Sequence, residues 1–447
     1  MRASVLQLQL LCGLALAASA CSWSRFDELT DKSPVVLLEK PGSMAGFGVS
    51  VATATNQGQT QLLVGGTVTA SSAALYEIGD PDAPGTAPID TEYCSGEGNP
   101  CFLSSLIAGF ANAQGPDRAR PLCFGVGSGA VAEQGLVVRC QDRSEYTLGM
   151  PPVAQQLLAM AIAQNQPRDF PMATDRRDDP VLLAALPEKH LAWFYPQKST
   201  TFSELSWPSG APGDDPSFGR ALAVLAVDGG HVLALGVSGK SAVFLWKTAG
   251  GANLGYLGCL SGPSGMGRAL ASGRVNSDGS DDLVVSDESQ VHVIDGAALF
   301  KLPATASSEC SSSLVPAGAV LGTLACGSTG DVGSCETSEF GAALAGGDLD
   351  GDGDGEVIAG APRMTVRGEE NAGALLVYDV EGASPAALLE AKFMSSAEGG
   401  DQLGRSIVTP RVGKRDIIAA GAPGHGKAAL FYCSPLLAAG KAGSHCP

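Results

Sequence analysis

Five acidic side chains lie within nine residues of the chain, in the segment DLDGDGDGE, and apolar residues flank the segment on both sides. These side chains belong to Asp348, Asp350, Asp352, Asp354 and Glu356. Carboxylates at alternating positions of a tight loop can converge on one point, and glycine permits the backbone dihedrals that such a turn requires. Without a cation, the five charges would repel each other. Because Ca²⁺ takes about six to eight oxygen ligands, the segment predicts a calcium site.

The position of each residue in the loop suggests its role. The first three carboxylates are expected to donate side-chain oxygens, Asp354 its main-chain carbonyl, and Glu356 a closing carboxylate. An EF-hand is not predicted, because Ala359 occupies the twelfth position and the flanking residues are typical of strands. The alternative interpretation is a solvated acidic turn without metal.

A second acidic loop precedes the strand-like residues that begin near Leu283. Its possible metal ligands are Asn276, Asp278, Ser280 and Asp282. Arg274 occupies the first ligand position, which Asp348 holds in the other loop. Its guanidinium could take the place of the cation by pairing with Asp278 or Asp282. The sequence therefore leaves two alternatives for this loop, a calcium site and a salt-bridged turn.

Signals for catalysis are weak. Residues 421–427 have the spacing GxxxxGK of a phosphate-binding loop, but Ala428 replaces the Ser or Thr that would contact magnesium. The residues that follow are typical of a strand, where a phosphate-binding loop requires the start of a helix. No GxSxG motif is present, and the five histidines have no nearby nucleophile in a recognisable arrangement. The sequence predicts a structural turn at 421–427 and no enzymatic activity.

A repeat of about sixty residues positions these loops. Each copy opens with a large apolar residue next to Gly, continues through small and β-branched residues, crosses a polar turn and resumes as an apolar strand. The copies open at residues 47, 110, 157, 218, 267, 340 and 403, and those at 110 and 157 are the weakest. Roughly four short strands per unit is the content of a propeller blade, whose faces are buried only by neighbouring blades.

We therefore predict an all-β fold, a seven-bladed β-propeller that occupies residues 33–436 as one repeat domain. The strand-like residues 34–39 precede the first full copy and could complete the last blade, which would join the two ends of the chain. A β-sandwich array is the alternative, but its strands lack a recurrent unit of this length.

The repeat resembles the FG-GAP repeats that form the propeller of integrin α subunits. Phe340 and Gly341 open one copy, and Gly-Ala-Pro follows its next strand at 360–362; residues 403–404 and 421–423 repeat the pattern. The resemblance implies the propeller fold, metal binding and, loosely, a role in adhesion or recognition. FG-GAP loops of the DxDxDGxxD kind have Asp at the ninth position, where this chain has Glu356.

The N-terminus has the pattern of an export signal. Residues 1–20 contain one Arg, an apolar run and a small-residue end, which predicts a signal peptide. The residues before Cys21 resemble the lipobox of bacterial lipoproteins, with Ala18 in place of the usual Leu, which implies lipidation of Cys21 and a tether at 21–32. The protein is then expected at the bacterial outer membrane or cell surface; plain cleavage to a secreted or periplasmic protein is the alternative.

Ten cysteines remain once Cys12 and Cys21 are assigned to the signal peptide and the lipid, and an even number suits an oxidising compartment. The sequence does not establish the connectivity, and buried free thiols are the alternative. Pairing of near neighbours, which would also pin the tail at 437–447, joins Cys94 with Cys101, Cys123 with Cys140, Cys259 with Cys310, Cys326 with Cys335, and Cys433 with Cys446.

Composition and net charge indicate the class of fold and exclude one class of partner. With 59 Gly, 27 Pro and only 17% charged residues, the chain favours many short strands joined by tight turns. A net charge of -18 would repel phosphate backbones, so nucleic acid is not an expected partner. We predict a surface-anchored, calcium-binding propeller that binds an extracellular or periplasmic protein or glycan without catalysis. The alternative is a propeller hydrolase or lyase with its active site at the mouth of the central channel.

Overall fold

The fold is given by a computed structural model of the chain. The residues that the structure describes are 36–42, 44, 46–56, 59–66, 73–78, 87–89, 95–96, 99–100, 109–111, 122–125, 135–140, 145–163, 171–175, 181–196, 199, 201–207, 215–249, 254–304, 310, 315, 318–327, 335, 337–349, 353–380, 390–392, 398–413 and 415–431.

The N-terminal residues contribute one strand to the last sheet and then form a sheet of three strands. The strand of the last sheet is β1 (Val36–Leu37). The three-stranded sheet is made of β2 (Ser50–Asn56), β3 (Gln59–Gly65) and β4 (Ala73–Ile78). A short separate ladder follows, made of β5 (Ser95–Gly96) and β6 (Asn99–Pro100).

Three sheets of four antiparallel strands come next. The first contains β7 (Gly109–Ala111), β8 (Leu122–Gly125), β9 (Gly135–Cys140) and β10 (Glu145–Gly149). The second contains β11 (Met172–Thr174), β12 (Leu182–Leu186), β13 (Leu191–Tyr195) and β14 (Ser203–Glu204). The third contains β15 (Leu222–Val227), β16 (Gly230–Val237), β17 (Ala242–Thr248) and β18 (Leu254–Ser261).

Three further four-stranded sheets complete the described chain. One contains β19 (Leu270–Gly273), β20 (Asp282–Ser286), β21 (Gln290–Ile294) and β22 (Val320–Ala325). The next contains β23 (Leu344–Gly347), β24 (Glu356–Ala361), β25 (Ala374–Tyr378) and β26 (Glu390–Lys392). The last contains β27 (Ser406–Val408), β30 (Ile418–Ala422), β31 (Lys427–Phe431) and β1, and β28 (Arg411–Val412) and β29 (Arg415–Asp416) form a hairpin between β27 and β30.

The sheets are the blades of a β-propeller. The first strands of successive sheets lie side by side: β15 contacts β19, β19 contacts β23, β23 contacts β27, and β27 contacts β2. The ends of the chain meet in one blade, because β1 pairs antiparallel with β31 and places Val36 opposite Leu430. The structure therefore confirms the all-β propeller, and β1 completes the last blade, as was predicted for the segment that contains it.

The predicted number of seven blades is wrong. The described residues form six complete four-stranded blades, and the unit at 50–78 has three strands. Beyond β4, the Ile89 N–H donates to the carbonyl of Leu75 at 2.8 Å. Within the described residues, this unit therefore differs from the four-stranded content that the repeat predicts.

Two helices interrupt the strands of the described chain, namely α1 (Pro152–Ala163) and α2 (Gly296–Phe300). The prediction that Leu157 and Leu158 open the third repeat unit as a strand is wrong, because both lie in α1. The segment consists mainly of Ala, Leu, Gln and Met, which favour helix, and Pro152 occupies its first turn. The first strand of that blade is β11 instead.

Close approach between blades explains the Phe-Gly and Gly-Ala-Pro signatures. Within a blade, the Gly404 N–H donates to the carbonyl of Gly421 at 3.0 Å. Between blades, a Cβ on Gly360 would lie 2.1 Å from the carbonyl oxygen of Gly404, and a Cβ on Gly421 would lie 1.7 Å from that of Gly48. Only glycine fits at these contacts, which join each second strand to the opening of the next blade.

The aromatic residue of each opening lies in the core between blades. Phe47, Phe218 and Phe340 are almost completely buried. Phe340 packs edge-on against Tyr378 of β25, with ring centroids 6.0 Å apart. Burial of such a side chain contributes about 2 to 3 kcal/mol to stability.

The antiparallel blades divide the connections between two faces. The loop face carries the connections from first to second strands, which include residues 348–356 and 274–282. The GAP-turn face carries the turns from second to third strands at 187–190, 238–241, 362–364 and 423–426, together with the connections that enter each first strand. The two predicted metal loops therefore lie on the same face, in adjacent blades.

Candidate metal centre

The acidic loop of the chain connects β23 to β24. Asp348 follows β23 directly, and Glu356 begins β24, where it lies opposite Gly347 in the ladder. The Glu356 side chain is buried, and its Oε2 accepts a hydrogen bond from the Leu349 N–H at 2.7 Å. Asp354 is half-buried next to Gly353, whose φ of +106° is a conformation that glycine adopts readily. Glu356 thus joins the two ends of the loop.

Two of the five predicted ligands, Asp350 and Asp352, lie outside the described residues. The structure places the other three, Asp348, Asp354 and Glu356, in one loop between neighbouring strands. Oxygen donors alone make up this predicted ligand set, which is the chemistry that calcium prefers. Glu356 brings the ninth position of the loop back to the second, so the described residues close the turn, and calcium binding by the loop stays a prediction.

The neighbouring blade contacts Asp348, the predicted first ligand. The Asp348 N–H donates to Oδ2 of Asp416 at 3.0 Å, and the Asp416 N–H donates to the Asp348 carbonyl at 2.7 Å. Nη1 of Arg411 lies 3.5 Å from Oδ2 of Asp348 and 3.4 Å from Oδ1 of Asp416. The sequence-based interpretation missed both residues, because their hairpin has too few carboxylates to be a metal site by itself. The contact is visible only when the blades are packed together.

The same contact between blades recurs two blade pairs earlier. The Asp281 N–H donates to the carbonyl of Ala226 at 2.9 Å, and Oδ2 of Asp281 accepts the Ala226 N–H at 2.9 Å. Ala226 and Asp348 each lie eight residues after the Phe of their repeat opening. An alignment of the repeats could therefore have identified both aspartates, because each lies just before the second strand of its blade.

The loop between β19 and β20 is held by hydrogen bonds to its own backbone. Asp282 is fully buried; its Oδ2 accepts the N–H groups of Val275 and Asn276 at 3.0 and 3.2 Å, and its Oδ1 accepts the Gly296 N–H at 3.1 Å. Oδ1 of Asn276 accepts the Asp278 N–H at 3.1 Å. Burial raises the pKa of Asp282 to about 7, although the N–H donors of Gly296 and Val275 act in the opposite direction.

Two further side chains of this loop were singled out from the sequence. Ser280 is buried, and its N–H donates to Oδ1 of Asp278 at 2.7 Å. Nε of Arg274 lies 3.8 Å from Oδ1 of Asp281, so the expected pairing with Asp278 or Asp282 is corrected. The reason is that Asp282 is enclosed by backbone donors, whereas Asp281 lies at the blade boundary. In this geometry the loop is a turn closed mainly by hydrogen bonds to its own backbone.

A third group of ionisable side chains lies on the GAP-turn face. Within the described part of the chain, Glu398, Asp401 and His425 are the one set of three possible metal ligands whose ligand atoms lie within 4.8 Å of one another. Nδ1 of His425 lies 2.7 Å from Oδ1 of the buried Asp401, and Nζ of Lys427 lies 3.1 Å from the same oxygen. Because Lys427 already places a positive charge beside Asp401, the group is an ion-paired cluster.

The phosphate-loop spacing at 421–427 belongs to this cluster. Residues 423–425 form a 3₁₀ turn, and Lys427 begins β31 rather than a helix. The prediction of a structural turn is confirmed.

Two of the predicted cysteine pairs are bonded in the structure. Cys259 is joined to Cys310 and Cys326 to Cys335, with Cα–Cα distances of 5.5 and 5.9 Å. The backbone of Cys123 lies opposite that of Cys140 in the β8–β9 ladder. The remaining cysteines named above lie outside the described residues, as do the predicted signal peptide, the lipidation site at Cys21 and the tail.

No helix in the described part of the chain combines the length and apolar character that a membrane span needs.

Comparison with known proteins supports the repeat. Residues 340–378 match the family model of the FG-GAP repeat. This segment extends from Phe340 through the acidic loop to Tyr378 at the end of β25. No curated protein matches the chain.

One solved structure has a similar arrangement. It is the crystal structure of selenomethionine-substituted virginiamycin B lyase from Staphylococcus aureus, at 10% sequence identity and a TM-score of 0.47, covering 89% of this chain and 99% of that one. Similarity at this level says nothing about activity.

Proposed function

Because this chain is a β-propeller that carries an FG-GAP repeat, we propose that it is a calcium-binding recognition module, displayed at a bacterial outer membrane or cell surface through a lipid on Cys21, that binds a protein or glycan partner without catalysis. The observation that carries the proposal is the loop at 348–356, whose ends are tied by the bond from the Leu349 N–H to Glu356.

Calcium at this loop would act on the boundary between two blades. Asp348 is the first ligand of the proposed site and also exchanges two hydrogen bonds with Asp416 of the next blade. A cation that holds Asp348 therefore also holds Asp416 and its hairpin, and a rigid loop face loses less conformational entropy when a partner binds. The chain's own residues would thus position the partner-binding surface.

Three buried aspartates are occupied by contacts within the protein, which favours binding over catalysis. Asp282 accepts three backbone N–H groups, Asp175 accepts the N–H of Val181 and contacts His231, and Asp401 contacts His425 and Lys427. Each of these buried groups is engaged in holding turns or blades together. A general base needs an acceptor that can reach a substrate proton.

The test is calcium titration of the exported chain, residues 22–447, prepared under oxidising conditions. We expect a saturable site by calorimetry and a higher melting temperature in calcium than in chelator. At a calcium concentration of about 100 times Kd, the linkage amounts to roughly 2.7 kcal/mol. Glu356→Gln is the informative variant, because it keeps an oxygen for the Leu349 N–H but removes the charge.

The matched control is Asp278→Asn in the loop between β19 and β20, which removes one charge from the neighbouring blade. Calcium binding that weakens in Glu356→Gln and persists in Asp278→Asn supports the proposal. A wild-type chain that neither binds calcium nor changes its melting temperature contradicts it and leaves the acidic loop as a solvated turn.

A further inference from the structure

Glu339 occupies a left-handed backbone conformation that two other repeats assign to glycine. It directly precedes Phe340 and has φ of 54°. The corresponding residues before Phe47 and Met266 are Gly46 and Gly265, with φ of 60° and 79°. Left-handed backbone is strained for a residue with a Cβ. A glutamate is therefore present at a position where glycine would fit without strain.

Three arginines from three blades converge on this residue. Nη2 of Arg268, from the preceding blade, donates to the carbonyls of Glu339 and Phe340 at 3.2 and 2.6 Å. Nε of Arg363, from the same blade, lies 3.1 Å from Oε1 of Glu339. Nη1 of Arg405, from the following blade, lies 3.6 Å from Oε2. Arg268 and Arg405 are equivalent in the repeat, because each directly follows the Gly of an opening.

Stability does not account for this arrangement. The side chains of Arg363 and Arg405 are 60% and 52% exposed, and exposed ion pairs stabilise a fold very little. Burial lowers the pKa of Arg268, and the carboxylates of Glu339, Glu288 and Asp287 oppose that effect. Two exposed guanidinium groups thus share one half-exposed carboxylate, in a chain whose net charge is -18.

We propose that Arg268, Arg363 and Arg405 form a carboxylate-binding site on the GAP-turn face, which Glu339 closes until an Asp or Glu side chain of an acidic partner peptide replaces it. The planar guanidinium group is suited to carboxylate oxygens, and the two oxygens of Glu339 are held separately by Arg363 and Arg405. Until a partner binds, the carboxylate of Glu339 occupies the position that the carboxylate of the ligand would take. The inference rests on the proposed recognition role and is independent of the calcium loop on the opposite face.

The test uses the exported chain and a fluorescent, acetylated peptide of six glutamates, followed by anisotropy at low salt, with a six-glutamine peptide as the control ligand. We expect weak binding to the wild type, and about fivefold tighter binding to Glu339→Gln, because the internal competitor has lost its charge. The double variant Arg363→Gln, Arg405→Gln should lose binding by at least that factor. Gln402→Gly, at the equivalent left-handed position of the next repeat, is the matched control and should bind as the wild type does.

A second variant keeps the test valid if Glu339→Gln folds poorly. Glu339→Gly removes both the carboxylate and the backbone strain, so it should unfold at a temperature no lower than the wild type and also bind the peptide more tightly. Unchanged affinity in both Glu339 variants, or unchanged affinity in the double arginine variant, overturns the site.

Two further measurements show which proposal is wrong if the peptide does not bind as expected. Dextran sulfate that binds in an Arg363-dependent manner, without glutamate-peptide binding, would overturn the peptide assignment in favour of a sulfated glycan. Calcium titration of the same variants separates the two proposals, since loss of peptide binding with calcium binding intact rejects only the carboxylate site.

Discussion

The loops at 274–282 and 348–356 occupy the same place in adjacent blades but differ in how they use their acidic residues. In both, the acid at the ninth position accepts the N–H of the second residue: Asp282 from Val275, and Glu356 from Leu349. The first position is Arg274 in one loop and Asp348 in the other. The comparison teaches that the ninth acid closes the turn in both loops, whereas the first position is where the two loops differ in charge; on the proposed function, that position would decide whether a cation binds.

Removal of the Asp282 carboxylate should have the largest effect on this comparison. Asp282→Ala leaves three backbone N–H groups without their acceptor, two of them in buried hydrogen bonds, so we expect a loss of about 3 kcal/mol in the free energy of unfolding. Denaturant unfolding in chelator measures it. The control, Asp278→Ala, changes an exposed turn and should cost less than about 1 kcal/mol. Equal losses in the two variants would mean that the ninth acid does not close the turn.

Asp287 sharpens the comparison, because its pKa is shifted in the opposite direction to that of Asp282. Burial by itself raises the pKa of Asp287, but hydrogen bonds from Ser289, His292 and Gln290 outweigh it and leave the pKa below its ordinary value. The ionised carboxylate therefore stabilises the fold above the unfolded-state pKa, and this contribution is lost as the pH falls through the lower folded-state pKa.

Asp287→Asn should consequently cost about 1 to 2 kcal/mol at pH 7, and its difference from the wild type should shrink below about pH 4. Urea unfolding at pH 7, 5 and 3 measures the difference. The exposed Asp228→Asn is the control and should show little change. A difference that stays constant down to pH 3 would be inconsistent with a depressed pKa.

Replacement of Arg274, at the first position of the loop at 274–282, should have the smallest effect on stability. It tests the comparison of the two loops directly. Arg274→Asp gives the loop at 274–282 the first ligand that it lacks, so we expect a second, weak calcium-binding event. It should add about 1 kcal/mol of stability at a calcium concentration of roughly five times its Kd. Calorimetry and thermal unfolding in calcium measure it. Arg274→Asn, which removes the positive charge without adding a carboxylate, should give a smaller gain; no gain in either variant would show that the first position is not decisive.

Local patterns in the sequence were sufficient for much of the fold. The openings at 47, 218, 340 and 403 each precede the first strand of a sheet. They could be recognised because a large apolar core residue is followed by a glycine that makes a close contact. The opening assigned to 157 failed, because a run of Ala, Leu and Gln is apolar enough for a strand but favours a helix. Among the described residues, the unit at 50–78 has three strands where the repeat predicted four.

The candidate site was only partly accessible from the sequence. The acidic residues of the loop at 348–356 are close together in the chain, so their spacing alone was enough to predict a calcium site, which stays a prediction. Asp416 and Arg411 act on Asp348 from more than sixty residues away, and nothing in their own hairpin indicates this contact. The same applies to Glu339, whose arginine partners Arg268 and Arg405 come from the two neighbouring blades.

The sequence by itself determined the repeat, the all-β class, the closure of the ring by residues 34–39 and the acidic loop, because each of these depends on residues whose spacing along one blade sets their geometry. Only the tertiary structure decided the number of complete blades, the partner of Arg274 and the convergence of three arginines on Glu339. These features depend on contacts between blades, and such contacts are set by the packing of one sheet against the next rather than by the pattern within either.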